Sequence, residues 1–96
     1  MLNTVKIALR INNNAYDKEI ESLIGACKKE LELSGIASSN INENDELICQ
    51  TIITYCKANF GLDNVDSEKL QKSYESAKIF LCMNYNQKIE KDSSDV

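Results

Sequence analysis

Two glycines, Gly35 and Gly61, interrupt a 96-residue sequence that contains no proline. Long proline-free runs punctuated by glycine are what a chain of helices requires. Proline removes a backbone donor and breaks a helix, whereas glycine supplies the left-handed conformation at which helices stop. The pattern predicts an all-α fold, a small bundle of three longer helices preceded by a short N-terminal helix. A chain of this length forms one domain and buries only about 60–65% of its unfolded surface, so contact with other subunits would add useful burial.

The first helix is expected over residues 3–10, with Leu2, Val5 and Leu9 inward and Lys6 and Arg10 outward. Asn12, Asn13 and Asn14 then break it, because asparagine side chains compete for backbone hydrogen bonds. Asn14 is the expected N-cap of a second helix over residues 15–34, with Asp17 near the positive end of its dipole. Tyr16, Ile20, Leu23, Ile24, Cys27 and Leu31 recur at helical spacing on one face. Lys18, Glu21, Lys28, Lys29 and Glu32 lie opposite, with Lys28 and Glu32 an i,i+4 pair. Gly35 is the expected stop, with Ile36 folding back onto the last turn. Residues 35–44 read as a polar loop.

The third helix, residues 45–60, differs in kind. Ile48, Thr51, Ile52, Tyr55 and Asn59 share one face, Cys49, Ile53, Cys56 and Phe60 form a second apolar flank, and Leu47 and Ala58 widen the arc. A helix apolar over most of its circumference belongs at the centre of a domain. Asp66 or Ser67 caps the fourth helix, whose inward stripe is Leu70, Tyr74, Ala77 and Leu81. Ile79 to Met83 is then apolar on every side, and five consecutive apolar residues cannot all face one small core. From Asn86 the sequence turns polar and reads as a disordered tail. The expected organisation is a helical domain over residues 1–85 and a flexible tail over residues 86–96.

Composition removes most chemistry. The chain has no histidine, hence no general base of the usual kind near neutral pH and no histidine-activated nucleophile. Cys27, Cys49, Cys56 and Cys82 lack metal-ligand spacing and read as free, reduced thiols acting as small apolar side chains in a cytoplasmic protein. Asp45-Glu46 and the acidic residues of 63–66 stand at helix starts, where capping and the macrodipole explain them. No phosphate-binding or calcium-binding motif occurs, so neither an enzyme nor a cofactor is expected. No apolar run approaches membrane-spanning length, and the N-terminus lacks a signal-peptide core. The net charge of −4 comes from interspersed acids and bases. A groove-reading helix should carry several exposed basic or amide side chains on one face, whereas the third helix offers only Gln50 and Lys57 and the fourth spreads Lys69, Lys72 and Lys78 around its circumference among Glu68 and Glu75.

The order and spacing of these elements carry a resemblance. Val5-Lys6, Leu9-Arg10-Ile11, Asp17, Ile20, Leu23-Ile24, Ala26 and Gly35-Ile36 form its first half. Asp45, Leu47-Ile48, Ile52, Tyr55, the helix end Lys57-Ala58-Asn59-Phe60-Gly61, Lys69-Leu70 and Ser73-Tyr74 form its second. Together the sequence resembles the small phage head–tail connector, or head-completion adaptor, proteins. The resemblance implies a structural virion protein at the head–tail junction, made in the bacterial host cytoplasm. It implies a homo-oligomeric ring, dodecameric in the virion, beneath the portal protein. Such a ring extends the channel, passes DNA without reading it and presents a surface to the tail or head-closure protein. Two other readings stay open: a helical interaction module or regulator, and a DNA-binding packaging component.

The expected core is Leu23, Ile24, Ile48, Ile52, Leu70, Tyr74 and Leu81. The surplus apolar residues Ile53, Phe60, Ile79, Phe80 and Met83 are the candidates for a subunit or portal contact, the alternative being that all five are interior.

Overall fold

The computed structural model describes residues 1–61 and 64–85, and the chain there is helical: α1 (Leu2–Leu9), α2 (Asp17–Leu33), a 3-10 turn (Ser38–Asn40), α3 (Glu46–Asn59) and α4 (Ser67–Tyr85). The tail expected over residues 86–96 lies outside the described residues. The all-α expectation holds, and the apolar run from Ile79 to Met83 is part of α4.

Both early helices end in a reversed pair of hydrogen bonds. At the end of α2, Gly35 takes φ 110°, its N–H donates to the Glu32 carbonyl (3.1 Å), and Ile36 N–H donates to the Leu31 carbonyl (3.3 Å). Ile36 and Leu31 are both fully buried, so the fold-back also closes an apolar contact. At the end of α1 the same pair is made without glycine. Arg10 takes φ 62°, and Arg10 and Ile11 donate to Ile7 and Lys6. Arg10 therefore terminates α1 rather than extending it, in a conformation that costs an L-residue about 1–2 kcal/mol.

The start of α2 departs from expectation. Asn14 does not cap it. Its Oδ1 accepts from Lys6 Nζ at 2.9 Å, Asn13 Oδ1 accepts from the Ala15 N–H at 2.9 Å, and Tyr16 occupies the cap position without a side-chain bond. Lys6, expected outward, is buried, with its ammonium 2.8 Å from Asp17 Oδ1. A lysine stem can cover apolar surface while its charge meets a carboxylate, and here the pair clips α1 to the first turn of α2. Tyr16 precedes the helix and so escapes its periodicity. It is half-exposed and meets Phe60 edge-on, with centroids 5.5 Å apart. Lys28 pairs with Glu43 across the loop (3.2 Å), leaving Glu32 to Lys29 (3.4 Å), because the polar loop returns along α2.

α3 packs on α1, α2 and, most extensively, α4, which is why its sequence is apolar on so many sides. It buries Ile48, Thr51, Ile52, Ile53, Cys56 and Ala58. The buried Thr51 hydroxyl donates back to the Leu47 carbonyl at 2.7 Å and so leaves no unsatisfied donor. Asn59, expected on the inner face, is exposed and donates to the Tyr55 carbonyl. Around α3 the core comprises Val5, Ile20, Cys27, Leu31, Ile36, Ile48, Ile52, Cys56 and Tyr74, all fully enclosed. Ile24 and Leu81 are buried with them, whereas Leu23 is half-buried against the cluster and Leu70 is half-buried on α4. At the turn into α4, Asn64 and Ser67 donate to the Lys57 and Ala58 carbonyls, satisfying acceptors that the end of α3 would otherwise leave open.

Asp45 caps α3 and ties down α4. Its Oδ1 accepts from the Leu47 and Ile48 N–H groups (2.9 and 3.3 Å), and its Oδ2 accepts from the Tyr85 hydroxyl at 2.7 Å. The Tyr85 bond, with the two backbone donors, holds the carboxyl below its ordinary value of 3.8. Asp45→Ala is expected to melt below the wild type, and Asp45→Asn close to it, since asparagine also caps. Identical melting of the wild type and Asp45→Ala would show the cap to be idle.

Candidate interaction surface

One end of the bundle gathers three helix ends. The Tyr85–Asp45 bond brings the end of α4 to the start of α3, and a 3.4 Å contact from Cys82 Sγ to the Ser34 carbonyl brings the end of α2 beside them. At this end the apolar side chains Leu33 (76% exposed), Leu47 (47%), Ile79 (59%), Phe80 (51%) and Met83 (69%) face outward. Ile79 and Met83 are one helical turn apart, as are Phe80 and Met83, so the three form a single outward patch on α4. The opposite face of α4 carries the buried Tyr74 and Leu81. Earlier on the outer face, where the patch gives way to charge, Lys69 and Lys72 are exposed.

Of the five candidates from sequence, the structure brings Ile79, Phe80 and Met83 together on the surface. Ile53 is only 8% exposed and belongs to the core, and Phe60 is half-buried against it. α3 absorbs both because it is covered on three sides. Leu33 and Leu47 were not among the candidates. Leu33 lies off the apolar stripe of its helix, and it shares this end of the bundle because the next residue, Ser34, meets Cys82 of α4.

The patch is held on a braced helix. Tyr74 OH donates to Glu30 Oε1 at 2.7 Å, and Lys78 Nζ lies 3.4 Å from the same oxygen, 3.1 Å from Glu75 Oε1 and 5.4 Å from the Tyr74 ring centroid. Tyr55 meets Tyr74 edge-on at 5.0 Å. Burial, then the bond to Glu30, pushes the Tyr74 phenol far above its ordinary value of 10.0 and keeps it a donor. Burial opposes charge on Lys78, but Glu75 and Glu30 outweigh it and raise its pKa. These contacts fix the rotation of α4 about its axis and with it the direction in which Phe80 points.

All four cysteines are free thiols, Cys27 and Cys56 within the core and Cys49 and Cys82 half-buried. Burial pushes Cys27 up to about 12 and Cys56 up to about 11, so neither is a thiolate nucleophile. Among the described residues no group of three His, Cys, Asp or Glu side chains gathers to hold a metal ion, and no helix is long and apolar enough to cross a membrane. What this surface can offer chemically is contact: exposed apolar area on a fixed scaffold.

Comparison with curated proteins and with solved structures finds no match. A family model described as phage connector protein matches residues 1–88, a span that takes in all four helices and the apolar end of α4. The chain belongs to the phage connector family, structural proteins of the phage head–tail connection.

Proposed function

We propose that this protein is a ring-forming head–tail adaptor. Copies assemble beneath the portal protein, twelve in the virion, extend the DNA channel and present the surface on which the tail or a head-closure protein docks. The observation that carries the reading is the exposed turn Ile79, Phe80 and Met83 in a chain of the phage connector family. A small domain that leaves three large apolar side chains together on the surface gains by covering them. The net charge of −4 is consistent with a channel wall that DNA passes without adhering, since each neutralised phosphate would add salt-dependent affinity. The work is structural, done at the head–tail junction after synthesis in the host cytoplasm, and requires no cofactor.

Native mass measurement of the protein, alone and mixed with portal protein, tests the proposal. A ring, or a stoichiometric complex with portal, is the expected result. A discrete dimer indifferent to portal would mark a regulator, and binding to DNA that weakens steeply with salt would mark a packaging component.

A further inference from the structure

The connection that holds α1 to its own bundle is strained and almost unburied. Arg10 takes φ 62° where α1 ends, in the left-handed region. An L-residue is held there at a population penalty of roughly five- to thirty-fold. Residues 12–16 beyond it are exposed. The backbone bonds of this stretch are local: Arg10 and Ile11 donate to the Ile7 and Lys6 carbonyls, and Ala15 donates to Asn13 Oδ1. Opening the connection releases the strain and leaves a few groups that water can satisfy.

What α1 itself buries is specific. The helix packs on α2 and α3. Val5 is fully enclosed, and Leu2 and Leu9 lie half-buried against the core cluster. The Lys6 side chain is buried, with its ammonium 2.8 Å from Asp17 Oδ1. A groove shaped for these side chains receives α1 of any copy through the same contacts, so the chain itself supplies the occupant. Residues 10–15, once extended, span about 20 Å. That is roughly two helix diameters, enough for α1 to reach the equivalent groove of an adjoining copy.

We propose that α1 is exchanged between copies. The chain opens at Arg10, and α1 of one copy docks against α2 and α3 of a second, with Val5 in the core and Lys6 against Asp17 of the second copy. Closed and exchanged forms share their α1 contacts, so the conformation of Arg10 sets the balance between them. Exchange of an identical element is a low-cost route to assembly. The proposal goes beyond the connector reading and does not depend on it, since it concerns α1 and not the apolar turn of α4.

Sedimentation velocity on the full chain tests this with Arg10→Gly, Arg10→Ala and Arg10→Val. Glycine accepts the left-handed conformation freely, alanine keeps the penalty without the arginine side chain, and a β-branched residue resists that conformation most. Arg10→Gly should need a concentration at least about five-fold higher than the wild type to associate, the low end of the penalty it removes. It should also melt no lower than the wild type, which separates lost association from lost folding. Arg10→Ala should associate like the wild type, and Arg10→Val at lower concentration with its helical circular dichroism retained. Adding Phe80→Glu to Arg10→Val should leave that association in place, which separates α1 exchange from the α4 contact of the connector reading. Equal association of the wild type and all three variants would overturn the proposal, and so would loss of the Arg10→Val association on adding Phe80→Glu.

Discussion

Ile52→Ala is expected to cost about 2–5 kcal/mol in stability, the range for truncating a fully enclosed aliphatic side chain. Ile52 lies on α3, the helix that packs on all three others, so the cavity opens where surrounding elements are least free to collapse. With small domains stable by about 5–15 kcal/mol, such a loss is visible as a large fall in denaturation midpoint. Leu33→Ala provides the contrast. The side chain is likewise aliphatic but is 76% exposed, and its loss should change stability by no more than about 0.5 kcal/mol. Equal, small effects at both positions would mean that α3 is not the centre of the core.

The second large effect is alkaline. Cys27 and Cys56 have ordinary values of 9.0, which burial in the folded chain raises to about 12 and about 11. The unfolded chain therefore releases these protons first as pH rises. Their contribution is fully present below pH 9 and is lost between pH 9 and the folded values. At roughly 1.4 kcal/mol per pH unit, Cys27 alone accounts for a loss on the order of 4 kcal/mol. Burial raises Tyr55 in the same direction. Unfolding free energy measured from pH 8 upward should fall steeply above 9 in the wild type. In Cys27→Ala the slope should be shallower by about 1.4 kcal/mol per pH unit. Parallel slopes would place the Cys27 thiol in contact with solvent.

The sequence revealed those parts of the fold that periodicity and punctuation encode. Gly35 ends α2 as its position demands, Asp45 caps α3, and Ile48, Ile52, Tyr74 and Leu81 lie inside because their spacing matches a helix face. Lys6 escaped because its partner, Asp17, comes from the next helix, and a helical wheel sees only its own element. Asn14 escaped for the same reason, its oxygen being drawn to that lysine and away from the cap. At the candidate surface, apolar excess on α3 and α4 was legible, but its allocation was not. Ile53 and Phe60 face inward because α3 is central, while Phe80 is left outside once Tyr74 and Lys78 engage Glu30 and fix the rotation of α4. Leu33 shares that end of the bundle only because the next residue, Ser34, meets Cys82 from a different helix.

The central claim is that the exposed turn of α4 is a contact surface and no part of the fold's own support. Phe80→Glu tests it most directly in heads that lack the connector, scored by their conversion into complete, tail-bearing particles. The mutant is expected to keep the wild-type helical circular dichroism, because a carboxylate at a half-exposed site stays in water. It is also expected to fail to complete heads, because in the assembled contact that charge would be buried without a partner. A folded mutant that completes heads as well as the wild type would contradict the account.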